Sequence, residues 1–167
     1  MLILRVAALF HENLEVLHTQ SVHEDGVMRN SFGDSTIGWI NGRDAAELAI
    51  AAMLHPDQFD GPTSFVLGPE AFTHAQIAEL LTDVLERPVR FEAISADEWR
   101  HELEHRGNSV INNGMAQHIS SVGAAIARSG QSIPVDPQKV RDLTGREPLS
   151  LREFLIARKG AFQPMSA

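Results

Sequence analysis

The chain contains no cysteine and no tyrosine. The first absence excludes disulfides, a thiol nucleophile and any cysteine-ligated metal. The second excludes a phenol as acid or base in any mechanism these residues carry. Basic residues are scarce as well: 14 Lys+Arg stand against 22 Asp+Glu, a formal net charge of −8. No Lys/Arg cluster breaks that acidic balance, so the counterion release that drives most nucleic-acid binding is missing and no nucleic-acid partner is expected. No apolar run reaches the roughly 18–20 residues of a membrane span, and Met1-Leu2-Ile3-Leu4-Arg5 lacks a basic leader and cleavage site. A cytoplasmic protein with no membrane partner is expected.

What is present fits one domain over 1–167. The 43% hydrophobic fraction is ordinary for a soluble protein and sufficient for a core. Leu2–Leu9 is an almost continuous apolar run, broken by Arg5, as in a strand buried on both faces of a parallel sheet. Glu12–Val22 reads as a helix and the polar, glycine-bearing stretch His23–Thr36 as a loop. Ile37–Ile40 and Ser64–Leu67 read as short strands, and Val89–Ile94 as a fourth; Leu2–Leu9 and Ser64–Leu67 are expected to be neighbours in a parallel sheet, and Ile37–Ile40 and Val89–Ile94 to form a small separate pair near the pocket. Thr73 to Gln76, Ser95 to Glu98 and Ser150 to Glu153 each have capping-box spacing, in which a hydroxyl and a carboxylate or amide satisfy helix N–H groups reciprocally. Asp44 is expected to be an N-cap, with Arg43 as its ion-pair partner. Ser109–Arg128 carries Met115, Ile119 and Val122 at helical spacing, and Asp136-Pro137 opens a further helix. The pattern predicts an α/β chain with four short strands and about seven helices.

Several of these signals occur in a familiar order. Phe10-His11-Glu12-Asn13-Leu14 follows a buried strand, then come Gly42-Arg43-Asp44, Leu67-Gly68-Pro69-Glu70, Arg87-Pro88-Val89 and Leu143-Thr144-Gly145-Arg146-Glu147-Pro148. Together they resemble the C-terminal half of NmrA-like proteins, an atypical branch of the short-chain dehydrogenase/reductase superfamily, with Val6 where the family usually has proline. The resemblance implies a partial Rossmann-type fold, the C-terminal lobe that supplies the substrate pocket. It implies NAD(P)H as cofactor only if a Rossmann half is supplied, because no Gly-rich turn follows a strand here and this chain alone is expected to hold no dinucleotide. It also places residues 10–13 beside the nicotinamide and the substrate.

The candidate site follows from position and resemblance together. Ligands of open α/β sheets gather outside the carboxyl ends of strands, which selects His11, Glu12 and Asn13 as acid–base groups, with Phe10, Trp39 and Asn41 as substrate contacts. A helix cap is the alternative role for Glu12 or Asn13. His101-Glu102-Leu103-Glu104-His105 matches the H-E-x-x-H zinc motif. Asn108 stands where the extended motif has glycine, and the helix is polar nearly all round, so no metal is assigned and this helix is expected to be exposed and remote. The expected partners are a small-molecule substrate and either a second copy or a separate Rossmann half, which would cover the open edge of the first strand. The function read from these signals is the substrate-binding portion of a split or truncated NAD(P)-dependent oxidoreductase acting on a small organic molecule. A non-redox isomerase or cyclase of a small apolar metabolite, and a cofactor-sensing regulatory module, are the alternatives.

Overall fold

The opening apolar run forms two strands, and each pairs with a different partner. The structure is a computed structural model that describes residues 2–105, 110–130 and 134–163. In it β1 (Ile3–Val6) runs parallel to β5 (Thr63–Val66), with Ile3 opposite Thr63 and Val6 opposite Val66. The expected neighbours Leu2–Leu9 and Ser64–Leu67 are therefore adjacent, over shorter lengths. After Val6 the chain leaves that ladder, and β2 (Leu9–Phe10) pairs in parallel with β4 (Ile37–Ile40). On its other side β4 pairs antiparallel with β6 (Glu70–Phe72). Two glycines allow the change of partner. A Cβ on Gly38 would stand 2.3 Å from the Leu67 carbonyl oxygen, and one on Gly68, at φ +83°, would stand 2.6 Å from that of Trp39. The connection from β5 to β6 thus passes directly against β4.

Two expectations about strands are corrected. Part of His23–Thr36 is a strand, β3 (Val27–Asn30), and it pairs in parallel with β7 (Arg90–Ala93). Ile37–Ile40 and Val89–Ile94 are not partners, because β4 is flanked on both sides by β2 and β6 while β7 pairs with β3. Gly26, in the left-handed conformation at φ 68°, ends the preceding helix and turns the chain into β3. With two apolar residues in four, β3 carries too short a pattern to show alternation. Seven strands are present among the described residues, where four were expected.

The seven expected helices form: α1 (Glu12–Asp25), α2 (Gly42–Leu54), α3 (His74–Leu85), α4 (Ala96–His105), α5 (Asn113–Ser129), α6 (Pro137–Thr144) and α7 (Leu151–Ala157). All three capping boxes are made. At Thr73, for example, the hydroxyl accepts from Gln76 N at 3.1 Å while Gln76 Oε1 accepts from Thr73 N at 2.9 Å. The cap of α2 differs from expectation. Asn41, extended at the end of β4, accepts from Arg43 N at 3.0 Å, so the helix starts before Asp44. Arg43 pairs with Glu47 one turn on, at 3.1 Å. Helix α5 starts at Asn113, later than expected, under an Asn112 cap that accepts from Met115 N at 3.0 Å; residue 109 lies outside the described residues.

The largest core cluster places Ile77, Leu81 and Leu85 of α3 against Leu14, Trp39 and Leu155. Each such side chain contributes about 1.5–3 kcal/mol by leaving water. A separate cluster of Phe32, Ile37 and Trp99 packs with Leu17, Leu103 and Ile119, and it frames the cavity described next.

Candidate functional site

A cavity of about 350 Å3 lies between α1, the start of α3 and α5, with Trp39 of β4 and Phe32 in its wall. Its α5 side is formed by Met115, His118, Ile119 and Val122, whose spacing places them on one helical face. Its α1 side includes Asn13 and Leu17, one turn apart, and His18. Most of the lining is apolar; the polar side chains are Asn13, His18, His74 and His118.

His74 is the first residue of α3 and is 1% exposed. Its ring stacks near Phe32 at 5.0 Å between centroids and near Phe91 at 5.7 Å, and it meets Trp39 edge to face at 5.5 Å. Nδ1 has no hydrogen-bond partner among the described residues. Burial, helped by the neighbouring His18, pushes its pKa down from 6.5 to about 3, so the imidazole is neutral at physiological pH. The position adds to this, since the positive end of a helix dipole disfavours a cation. His18 lies 6.0 Å from His74 and stacks on Trp99 at 6.4 Å.

The residues singled out from sequence divide between two places. Asn13 and Trp39 line the cavity. Phe10, His11, Glu12 and Asn41 do not. Phe10, at the end of β2, is 36% exposed. His11 is fully buried behind it against Phe154, 5.5 Å between rings, and burial lowers its pKa from 6.5 to about 4. Glu12 caps a helix other than its own: its carboxylate accepts from Asn41 Nδ2 at 3.1 Å and from Gly42 N at 3.2 Å, at the head of α2. Asn13 caps nothing, because α1 has no side-chain cap. Sequence reasoning missed His18, His74 and Phe32. The signal available for His18 was its place one position after Leu17 on the buried side of α1; His74 and Phe32 come from segments with no pattern to connect them.

A second cavity, of about 420 Å3, lies across the side chains of Val16, Leu17, Val110 and Ile111, which line both. Its charged groups are already matched, Arg29 with Asp25 at 2.7 Å and Glu15 with Arg158 at 2.5 Å. Glu102 lines this cavity and is half-buried, while His101 and His105 are exposed, with rings 3.9 Å apart. Among the described residues no group of three His, Asp or Glu side chains could hold a metal ion. No helix among them is long and apolar enough to cross a membrane.

No protein-family model matches the chain. Among curated proteins it is similar to an uncharacterized oxidoreductase, YesF, of Bacillus subtilis, at 30% identity over 156 residues, 93% of this chain and 52% of that protein. It is also similar to an NAD(P)H azoreductase of Xenophilus azovorans, at 27% identity over 92% of this chain and 51% of the relative. The chain thus spans about half the length of the curated relatives it matches. An NADPH-dependent quinone oxidoreductase from Escherichia coli superposes with a TM-score of 0.75 at 20% identity, covering 92% of this chain and 53% of that one. The chain therefore has the mixed α/β fold of the matched half of that reductase.

Proposed function

We propose that the chain is the substrate-holding portion of an NAD(P)-dependent oxidoreductase acting on a small, largely apolar organic molecule. The dinucleotide would be held by a Rossmann half, on the same or a separate polypeptide. The observation that carries the reading is the apolar cavity, walled by Trp39, Phe32 and the inner face of α5 and holding a few convergent polar groups, the usual composition of a small-molecule site. The similarity to an oxidoreductase and to an NAD(P)H azoreductase supports the reaction class.

Two features support placing the dinucleotide elsewhere. Open N–H groups at a helix N-terminus are a common pyrophosphate site. A side chain already accepts from an N–H at the head of each later helix: Glu12 at α2, Thr73 at α3, Ser95 at α4, Asn112 at α5, Asp136 at α6 and Ser150 at α7. Helix α1 opens on Glu12 with Glu15 in the same turn, carboxylates that repel a phosphate. What these residues offer is binding, orientation and exclusion of water around the substrate.

Each strand of the β1–β5 pair has one edge without a partner among the described residues. We assign the β1 edge to a Rossmann half or to another copy of this chain, since an open parallel edge invites a further strand. A clean monomer in light scattering at micromolar concentration argues against association of copies.

The experiment for the site is calorimetric titration of the full chain with indane, a bicyclic hydrocarbon. One-to-one binding is expected, weakened at least about tenfold when Val122→Trp fills the cavity; a tenfold loss corresponds to about 1.4 kcal/mol. Indane that fails to bind, or binds equally well to Val122→Trp, overturns the reading. NADPH titrated into the chain alone is expected to give no binding, and a micromolar dissociation constant overturns the division of labour.

A further inference from the structure

The cavity contains a polar group that the protein leaves incomplete. A neutral imidazole carries an N–H on one ring nitrogen and a lone pair on the other. His74 is held by the faces of Phe32 and Phe91 and the edge of Trp39, and these aromatic groups offer its nitrogens no oxygen acceptor. Nδ1 is buried without a partner among the described residues. An orphaned buried polar group is costly, and the tautomer with its proton on Nδ1 needs an acceptor there. The His74 ring lines the apolar cavity and Nδ1 lies covered behind that lining, so a guest that displaces the side chains over it supplies the missing atom.

We infer that His74 determines the specificity of this cavity, as a hydrogen-bond donor that selects flat, apolar ring compounds bearing one carbonyl oxygen. The inference rests on the proposed substrate-holding role and deepens it, because it assigns the polar contact and the class of guest. Shape supports the class. The ring lies among aromatic side chains with interplanar angles of 26° and 27° to Phe32 and Phe91, so a planar guest that enters edge-on, in the plane of the ring, can bring an oxygen to the N–H. Burial that keeps the imidazole neutral makes the interaction hydrogen bonding rather than proton transfer. His74 is thus a positioning group that holds the carbonyl and sets the orientation of the guest.

The test compares 1-indanone with indane, which share a bicyclic frame and differ by one oxygen, against the full chain and its His74→Phe variant. Phenylalanine keeps a flat ring between Phe32 and Phe91 and removes both nitrogens, with one more ring atom. The native chain is expected to bind 1-indanone about fivefold to tenfold more tightly than indane, the scale of one net hydrogen bond. In His74→Phe the ratio of the two affinities is expected to fall to about one, whatever change in affinity the two probes share. The carbonyl stretch of bound 1-indanone gives a second readout that needs no variant. It is expected at lower frequency than in an apolar solvent for the native chain, and an unshifted band overturns the inference. Equal binding of the two probes to the native chain overturns the role of His74 and leaves the cavity reading standing. A preference that persists in His74→Phe also overturns it, by placing the donor elsewhere. Failure of both probes to bind overturns the inference and the cavity reading together.

Discussion

Arg146 and Asp44, 102 residues apart in sequence, meet at 2.6 Å. Asp44 is 1% exposed, and its second oxygen accepts from Leu149 N at 2.9 Å. The contact joins two segments that stood out separately in the sequence, Gly42-Arg43-Asp44 and Leu143-Thr144-Gly145-Arg146. It fixes α2 to the chain between α6 and α7. Asp44→Ala leaves Leu149 N without its acceptor, while Arg146 keeps its bond to Glu47, so the change is expected to lower stability by about 1–3 kcal/mol in denaturant unfolding. A loss below about 0.5 kcal/mol would show that the Asp44 contacts do not hold α2 in place.

Acid is expected to destabilise the fold through its buried imidazoles. In the folded protein His11 and His74 have pKa values lowered from 6.5 to about 4 and about 3, whereas in the unfolded chain they protonate normally. Their stability contribution is complete above about pH 6.5 and is lost as pH falls toward the folded values. By linkage each costs about 2 kcal/mol by pH 5, against a total near 5–15 kcal/mol. Melting temperature measured from pH 7 to 5 should fall steeply, and His74→Phe should flatten about half of that slope. A variant with the native slope contradicts the assignment.

Glu12 and Asn13 are adjacent in sequence and should separate in experiment. Glu12→Ala removes the acceptor for Asn41 Nδ2 and Gly42 N and is expected to cost about 1–2 kcal/mol, as other cap losses do, with indane affinity unchanged. Asn13→Ala removes no cap and is expected to leave stability within about 0.5 kcal/mol while altering indane affinity. The reverse pattern would place the binding function at Glu12.

Gly68→Ala should be among the most damaging small changes in the chain. Its φ of +83° disfavours any side chain, and the new Cβ would meet the Trp39 carbonyl oxygen at 2.6 Å. Backbone strain of this kind costs about 1–3 kcal/mol before the steric term is added, so circular dichroism should show a protein largely unfolded near 37 °C. A variant melting within a few degrees of the native chain would mean that the crossing of Leu67-Gly68 over β4 is looser than described.

Most helices were legible because they carry their own start signals, whereas α1 has no side-chain cap and showed only through the spacing of its apolar residues. Thr73 with Gln76 and Ser150 with Glu153 are local pairs, and local pairs survive in sequence. The strands were legible where apolar residues stood together between turn residues, as at Ile37–Ile40 and Ser64–Leu67. Val27–Asn30 is a strand because Arg90–Ala93 lies beside it, a pairing 63 residues away that no short pattern encodes. The candidate site divides in the same way. Trp39 and Asn13 could be selected from their place near strand ends. His74 could not, since its neighbours Phe32, Phe91 and His18 come from three other segments. The α2 cap went to Asn41 because the extended backbone ending β4 presents its side chain to Arg43 N, which the acidic residue three positions later made easy to overlook.

Val16, Leu17, Val110 and Ile111 face both cavities, so the two spaces are separated by a partition one side chain thick. A guest that moves Leu17 or Ile111 to make room for itself takes that volume from the other chamber. Thermodynamic reciprocity then requires each chamber's occupant to alter the other's affinity by the same factor. The upper size limit for a guest is accordingly a property of four rotamers, and substitutions at the partition should trade capacity between chambers rather than create or abolish either.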